Sequence, residues 1–341
     1  MPTATTRDGL EIAADPPTGC TVVVRRPGPA RDDHPGGEDE FLVLHRNSDG
    51  PEYEGDWAWT SPAGCRQPGE PVYPAALREL EEEAGLRGYR PWLLDADPEP
   101  AVGGQWATFG LDVAADVEIE LIDPEHDRHE WLPAAEALDR VKPDWVGANQ
   151  VGRMARTRRA DIGFRSLTHD DLPQVREWRL APHARRWWAL GGCTLAELQD
   201  RYGPRIDGET AVRMWVVQAD GADVGLVQDA PVGTDADLVA GSGAPDAVAI
   251  DYLLGVEALT GHGLGTKVIW QYLRDLVVPA HPDAPHAIAN PDHHNPASLR
   301  ALAKCGFSRG PKIDVPAAPG SAATTQIVCS IDLRHWFGVP G

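Results

Sequence analysis

Glu79, Glu82 and Glu83 stand three and four residues apart in the run Arg78-Glu-Leu-Glu-Glu-Glu83. On a helix that spacing puts all three carboxylates on one face, where they repel in water. A hard divalent cation relieves the repulsion and prefers oxygen ligands. Magnesium in such a setting keeps some of its waters and bridges protein carboxylates to substrate phosphates, which suits pyrophosphate cleavage. Glu70 and Arg78 are placed to support the cluster, because a guanidinium fork holds a carboxylate in position. Glu81 points elsewhere and reads as a solvated charge. A second chemical signal lies far downstream. Asp251 sits in an apolar run that leads through Gly261-His262-Gly263-Leu264-Gly265-Thr266 into a helical pattern. Backbone N–H groups at a helix N-terminus bind anions, and glycines let a pyrophosphate approach the chain closely.

The elements that must position these groups follow from periodicity. Thr21–Arg25 and Phe41–His45 read as two strands around a turn-rich loop at 26–38, and Trp57–Pro62 as a further extended piece. Val72–Leu86 has helical spacing and meets Gly85 where a helix would stop. Strands are expected at Trp92–Asp95, Trp106–Val113 and Val117–Leu121, then a helix at Ala134–Val141. Further on, strands are expected at Ile162–Leu167, Val212–Ala219, Val224–Asp229, Val248–Leu254, Ala287–Asn290 and Gln326–Leu333. Helices are expected at Asp170–Leu180, Leu195–Tyr202, Gly263–Val277 and Ser298–Cys305, with Thr168 and Thr194 as N-caps of the first two.

The chain has 341 residues, enough for two domains. Its formal charge of −21 argues against a nucleic acid polymer as partner, since phosphate contacts need Lys and Arg. The charge is uneven: residues 1–150 hold 12 basic and 31 acidic side chains, against 19 and 21 in the remainder. No run of 18 apolar residues is present, and the first residues lack the apolar core of a secretory signal. Five scattered cysteines form no CxxC pair. These features predict a cytoplasmic chain without membrane contact or disulfide framework. The basic stretch at 150–163 reads as a domain boundary or as a helix end with solvated arginines. The expected division is 1–155, a basic linker at 156–163, and 164–341.

The segment Gly64-(5 residues)-Glu70-(7 residues)-Arg78-Glu79-Leu80-Glu81-Glu82-Glu83-Ala84-Gly85-Leu86 resembles the Nudix hydrolase box, with every fixed position filled. The resemblance implies an α/β/α sandwich with a mixed sheet, a Mg2+ or Mn2+ cofactor on Glu79, Glu82 and Glu83, and a nucleoside diphosphate-linked substrate. Gly64, Glu70 and Arg78 then support the site. The later segment Glu125-His-Asp-Arg-His-Glu-Trp131 is similar to the part of that family that adds an acidic ligand. Glu125 matches it, with Glu130 as competitor. Trp57, Trp59 and Trp106 either stack on a base or pack the core.

Residues 163–335 resemble the GCN5-related N-acetyltransferases (GNAT) through the glycine turn and through Asn290-Pro-Asp-His-His-Asn295…Gly306-Phe307. Glu177–Trp188 and Val224–Gln228 are similar to the aminoglycoside 6'-N-acetyltransferase branch. The resemblance implies a second α/β domain with a twisted, mostly antiparallel sheet and a splayed pair of strands. It implies acetyl-CoA on Leu253, His262, Gly263, Leu264, Gly265, Thr266 and Asn295, and a small amine acceptor. Asp251 is then the amine-binding carboxylate or base, unless it only caps backbone. Trp187, Trp188 and Gln228, and less directly Asp229, are candidates for the acceptor pocket. Thr260 and Leu302 depart from the pattern: many relatives carry Gln or Arg at the first and a proton-donating tyrosine at the second. His293 and His294 are adjacent and read as a polar loop rather than a metal site, because neighbours on an extended chain point apart. Taken together the pattern predicts a bifunctional enzyme. Acetylation of a siderophore, polyamine or protein amine, with one domain acting as a nucleotide or CoA sensor, is the alternative.

Overall fold

The structure is a computed structural model that describes residues 5–6, 9–29, 37–96, 106–188, 193–315 and 323–338. The chain divides into two compact units, one of residues up to Arg159 together with His335–Gly338, the other running from Ala160 to Arg334.

The first unit is built on β1 (Gly19–Pro27) and β2 (Asp39–Arg46). Val22, Val23 and Val24 on one and Phe41 to Leu44 on the other are fully buried, so both faces of these strands are covered. Around them lie β3 (Trp59–Thr60), β4 (Ala63–Cys65), α1 (Val72–Ala84), β5 (Trp92–Asp95), β6 (Trp106–Asp112) and β7 (His126–Pro133). Three helices follow, α2 (Ala134–Arg140), α3 (Asp144–Asn149) and α4 (Val151–Ala155). The sheet order is β3-β2-β1-β6-β5, with β4 also on β1 and β7 also on β2. β1 and β6 are parallel and the other pairs antiparallel, so the sheet is mixed as expected.

Two differences from the sequence reading have physical causes. The alternating run Val117–Leu121 is not a strand. Its backbone instead closes the end of α1: Glu120 N–H donates to Ala84 O at 3.2 Å, and Asp123 N–H donates to Glu82 O at 3.0 Å. Strand β7 carries no alternation that would announce it, yet it pairs with β2 over most of its length.

The second unit contains β8 (Ile162–Ser166), α5 (Leu172–Leu180), α6 (Arg185–Trp188), α7 (Leu195–Ile206), β9 (Arg213–Ala219), β10 (Ala222–Pro231), α8 (Ala236–Ser242) and β11 (Val248–Leu254). It continues with α9 (Leu264–Tyr272), α10 (Val278–Ala280), β12 (His286–Ala289), α11 (Pro296–Lys304), β13 (Ser308–Val315) and β14 (Thr324–Asp332); α12 (Leu333–Phe337) begins in this unit and ends in residues assigned to the first. The strand expected at Ile162–Leu167 is β8, so Ile162 and Gly163 belong to the strand and not to the linker that also claimed them. Thr194 caps α7 reciprocally: its hydroxyl accepts from Glu197 N–H at 3.2 Å, and the Glu197 carboxylate accepts from Thr194 N–H at 2.8 Å.

The sheet order is β13-β14-β12-β11-β10-β9-β8. β11 and β12 are parallel, and every other pair is antiparallel. The parallel pair is joined only at Val248↔Ala287 and Ala249↔Ile288. Beyond that point β11 stays with β10 as far as Leu254, while β12 ends at Ala289. This is the splay. β13 escaped the sequence reading because it is an exposed edge strand with a register shift between Arg309 and Lys312, a place that tolerates Gly310 and Pro311.

Candidate functional site

In the first unit α1 is the organising element. Pro71 opens it, and Gly85 closes it in the left-handed region at φ 69°, where a side chain would also meet Glu120 Cβ at 2.8 Å. Strand β4 runs beside the helix. Gly64 on β4 lies opposite Cys20 of β1, and a Cβ there would fall 2.2 Å from the carboxylate of Glu79. The missing side chain is the space that Glu79 fills.

Arg78 ties the cluster together. Its Nε and one terminal nitrogen donate to the two oxygens of Glu70 at 2.9 and 3.0 Å, the paired geometry a fork favours. The other terminal nitrogen donates to Glu79 Oε1 at 2.7 Å and to Glu82 Oε2 at 2.9 Å. The remaining oxygens, Glu79 Oε2 and Glu82 Oε1, accept no hydrogen bond from the described residues. Burial lifts the Glu79 carboxyl to about 7, against the pull of Arg78 and with the help of the neighbouring charges on Glu82 and Glu70. Glu83 is likewise raised well above the ordinary carboxylate range, first by burial and then by Glu79 and Glu125, although Ala63 N–H donates to its Oε2 at 2.7 Å. Glu82 is exposed. Glu125 is anchored beside the end of α1 through its N–H to Asp123 Oδ1 at 2.8 Å, and its carboxylate lies 3.5 Å from Arg46.

The sequence quoted His126 only as the neighbour of Glu125. The structure buries it 3.8 Å from Glu83 with neither ring nitrogen hydrogen-bonded to a described residue, and burial, then the charge of Arg46, lowers its pKa to about 4. Buried carboxylates raised toward neutrality, free carboxylate oxygens and an orphaned imidazole are the features of a site that fits a divalent cation. Glu130 pairs instead with Arg140 at 3.0 Å, and Glu81 with Arg87 at 2.8 Å. Of the tryptophans, Trp59 is core and donates to Glu54 at 2.6 Å, Trp106 is half-buried beneath Gly19, and Trp57 is exposed.

In the second unit a cavity of about 410 Å³ opens where β11 and β12 part. Asp251, Gln228, Trp187, Trp188 and Asn295 all line it. Gln228 lies opposite Asp251 in the β10–β11 register, and its Nε2 donates to Asp251 Oδ2 at 2.6 Å. Asp251 is exposed into the cavity, and the protein atoms crowded around its carboxyl raise its pKa by desolvation, opposed by the Gln228 hydrogen bond and by Arg205 and Arg201. Asn295 caps α11, its Oδ1 accepting from Ser298 N–H at 3.2 Å.

The glycine turn leads into α9. Gly261 and Gly263 take φ of 82° and 77°, which L side chains rarely adopt. The helix starts at Leu264, so the N–H groups of Leu264, Gly265 and Thr266 have no intrahelical acceptor. His262 is exposed beside them, and the side chain of Leu253 is buried in the core with Trp178 and Leu226. Leu302 is fully buried and offers no proton.

One sequence expectation fails here, and so does the reason given for a second. Asp229 does not face the cavity. It is buried with Arg213 at 2.9 Å, Tyr272 at 2.5 Å and His281 at 2.7 Å, because it alternates with Gln228 to the other side of the strand. His293 and His294 do not point apart. They sit in a turn with ring centroids 3.6 Å apart, and each lies within 3.7 Å of Asp292. Asp292, His293 and His294 are therefore grouped closely enough to hold a metal ion, which an extended chain would have prevented.

The two units define the class. A NUDIX domain model matches residues 28–151, and an acetyltransferase (GNAT) domain model matches residues 168–315. The chain thus joins a NUDIX domain to a GNAT domain. Aminoglycoside N(6')-acetyltransferase type 1 of Klebsiella pneumoniae is 28% identical over 163 residues, covering 46% of this chain and 79% of that protein. The enzyme of the same name from Serratia marcescens matches with the same figures. A crystal structure of aminoglycoside acetyltransferase AAC(6')-Ib with coenzyme A is 24% identical, covering 51% of this chain and 96% of that one at a TM-score of 0.44.

Proposed function

We propose that the chain carries two activities. The GNAT domain transfers acetyl from acetyl-CoA to a primary amine, and the NUDIX domain hydrolyses a nucleoside diphosphate-linked compound with Mg2+. The observation that carries the first is Asp251, held by Gln228 in the cavity at the splay. The ammonium proton of the acceptor passes to Asp251. The neutral nitrogen attacks the thioester carbonyl, the C–S bond breaks as the nitrogen gives up its second proton to solvent, and the departing thiolate takes a proton from solvent, since Leu302 supplies none. The amides of Leu264, Gly265 and Thr266 hold the pyrophosphate of the acetyl donor. The relatives' name makes an aminoglycoside amine the first acceptor to assay.

In the NUDIX domain Glu79, Glu82, Glu83 and Glu125 hold the divalent cation. The cation supplies charge compensation for phosphate oxygens and a more acidic water. Arg78 keeps Glu79 and Glu82 together, and Glu70 fixes Arg78. No helix among the described residues is long and apolar enough to cross a membrane. All five cysteines are free, which suits action in the cytoplasm.

The test is thiol release from acetyl-CoA with a panel of amines, run alongside phosphate release from a nucleotide panel with magnesium. Asp251→Asn is expected to lower kcat for acetylation by about a hundredfold, the lower end of what a general base contributes. A variant with normal kcat removes Asp251 from the reaction.

A further inference from the structure

The cavity beside Asp251 is charged in the sense opposite to that of an amine-binding site. Arg179, Arg186, Arg201 and Arg205 line it, against two aspartates, Asp251 and Asp292. The undescribed segments 189–192 and 316–322 contain no ionisable side chain that would change this balance. None of the four arginines is ion-paired to an aspartate or glutamate among the described residues. Arg179 is committed to the fold, donating to Trp188 O at 2.6 Å and to the Tyr202 hydroxyl at 3.1 Å. Arg186 lies over the Trp187 ring at 4.1 Å. Arg201 and Arg205 stand one turn apart on α7, where like charges repel. Arg205 donates to Gln228 Oε1 at 2.9 Å, and Arg201 is exposed with no hydrogen bond among the described residues. Burial depresses the pKa of Arg205, and the charges of Arg201 and Arg179 add to the effect. The glycine turn contributes nothing to this lining, so the arginines are separate from the expected pyrophosphate cradle.

We propose that the acetyl acceptor is a primary amine on a molecule that also carries a phosphate or carboxylate group. Arg201 and Arg205 receive the anion, and Asp251 receives the amine. The proposal rests on the acetyltransferase reading and narrows its substrate. Guanidinium groups match phosphate and carboxylate oxygens in pairs, whereas a polycation would meet uncompensated positive charge. Gln228 bridges the two ends, accepting from Arg205 and donating to Asp251 at 2.6 Å, so it sets their separation. That separation selects small acceptors whose amine and anion lie a few bonds apart.

The full chain with acetyl-CoA is assayed on matched acceptors: glucosamine 6-phosphate against glucosamine, alanine against its methyl ester, and kanamycin as the polycation. In one of the two pairs the anionic member is expected to exceed the neutral one in kcat/KM by about tenfold or more, and kanamycin to fall below it. Which pair shows the ratio distinguishes phosphate from carboxylate. Arg201→Gln, a change at an exposed side chain, is expected to bring that ratio toward one through a higher KM for the anionic acceptor, with Arg201→Lys keeping part of it. Preference for the neutral or polycationic acceptors overturns the proposal, as does a ratio unaltered in Arg201→Gln. Calorimetry showing that Arg201→Gln mainly weakens acetyl-CoA binding also overturns it, by assigning the charge to the donor. Thiol release with none of the amines, from a protein that binds acetyl-CoA, removes the acetyltransferase reading and the proposal together.

Discussion

In and just before α1 three carboxylates, Glu70, Glu79 and Glu82, share the guanidinium of Arg78, with the buried Glu83 close by. Around the cavity of the second unit four guanidinium groups face two carboxylates. Each site holds an excess of one charge that the protein does not neutralise. The lesson is that a close-set, uncompensated excess of charge points to the sign of the ligand proposed for it, a cation at the first site and an anion at the second. It also separates functional charge from structural charge. Asp229 is as buried as any carboxylate of α1, yet Arg213, His281 and Tyr272 satisfy it, and nothing is left for a ligand.

The sharpest way to break this comparison is to remove one charge from the acidic site. Glu83→Gln is expected to lower magnesium-dependent phosphate release by a hundredfold or more, roughly what a lost metal ligand costs. The metal-free protein should keep or gain thermal stability, because a strongly desolvated charge is gone. Full hydrolysis in this variant removes the metal assignment of Glu83.

A steric change tests the same site without altering charge. Gly64→Ala drives a methyl group into the Glu79 carboxylate, 2.2 Å away, and is expected to cost about 1–3 kcal/mol in urea unfolding. An unchanged midpoint shows that the cradle is not filled as described.

The smallest effect is in the pH dependence. The Glu79 carboxyl is held at about 7 in the fold against an ordinary value of 4.5. A folded pKa above the unfolded one gives stability that is complete below the unfolded value and lost as pH rises through about 7. Divalent cation reverses the loss by binding the ionised carboxylates. Magnesium is therefore expected to raise Tm by a few degrees more at about pH 8 than at about pH 5. Equal shifts at both pH values separate cation binding from Glu79.

Much of this was legible before any fold was known, and for identifiable reasons. The segment from Gly64 to Leu86 is local: one strand, one turn and one helix, so the spacing of residues already sets which carboxylates share a face. The glycine turn before α9 is local in the same way, because positive φ values are written as glycines. What was not legible depended on partners distant in sequence. Val117–Leu121 alternates like a strand, but the Glu120 amide is spent on the Ala84 carbonyl of α1, and that of Val117 on Ala114. β7 and β13 form through pairing with β2 and β14 rather than through their own pattern.

The sequence by itself determined the two domains, the carboxylate helix and the anion-binding turn, since each is a short-range arrangement of side-chain types. Only the tertiary structure decided which charges are matched. It gave Asp229 three partners, left the His126 ring without a hydrogen bond among the described residues, and brought arginines of α5, α6 and α7 around the carboxylate on β11. Whether a charge is satisfied depends on groups tens to more than a hundred residues away along the chain, and on the water that packing excludes, neither of which is written in local spacing.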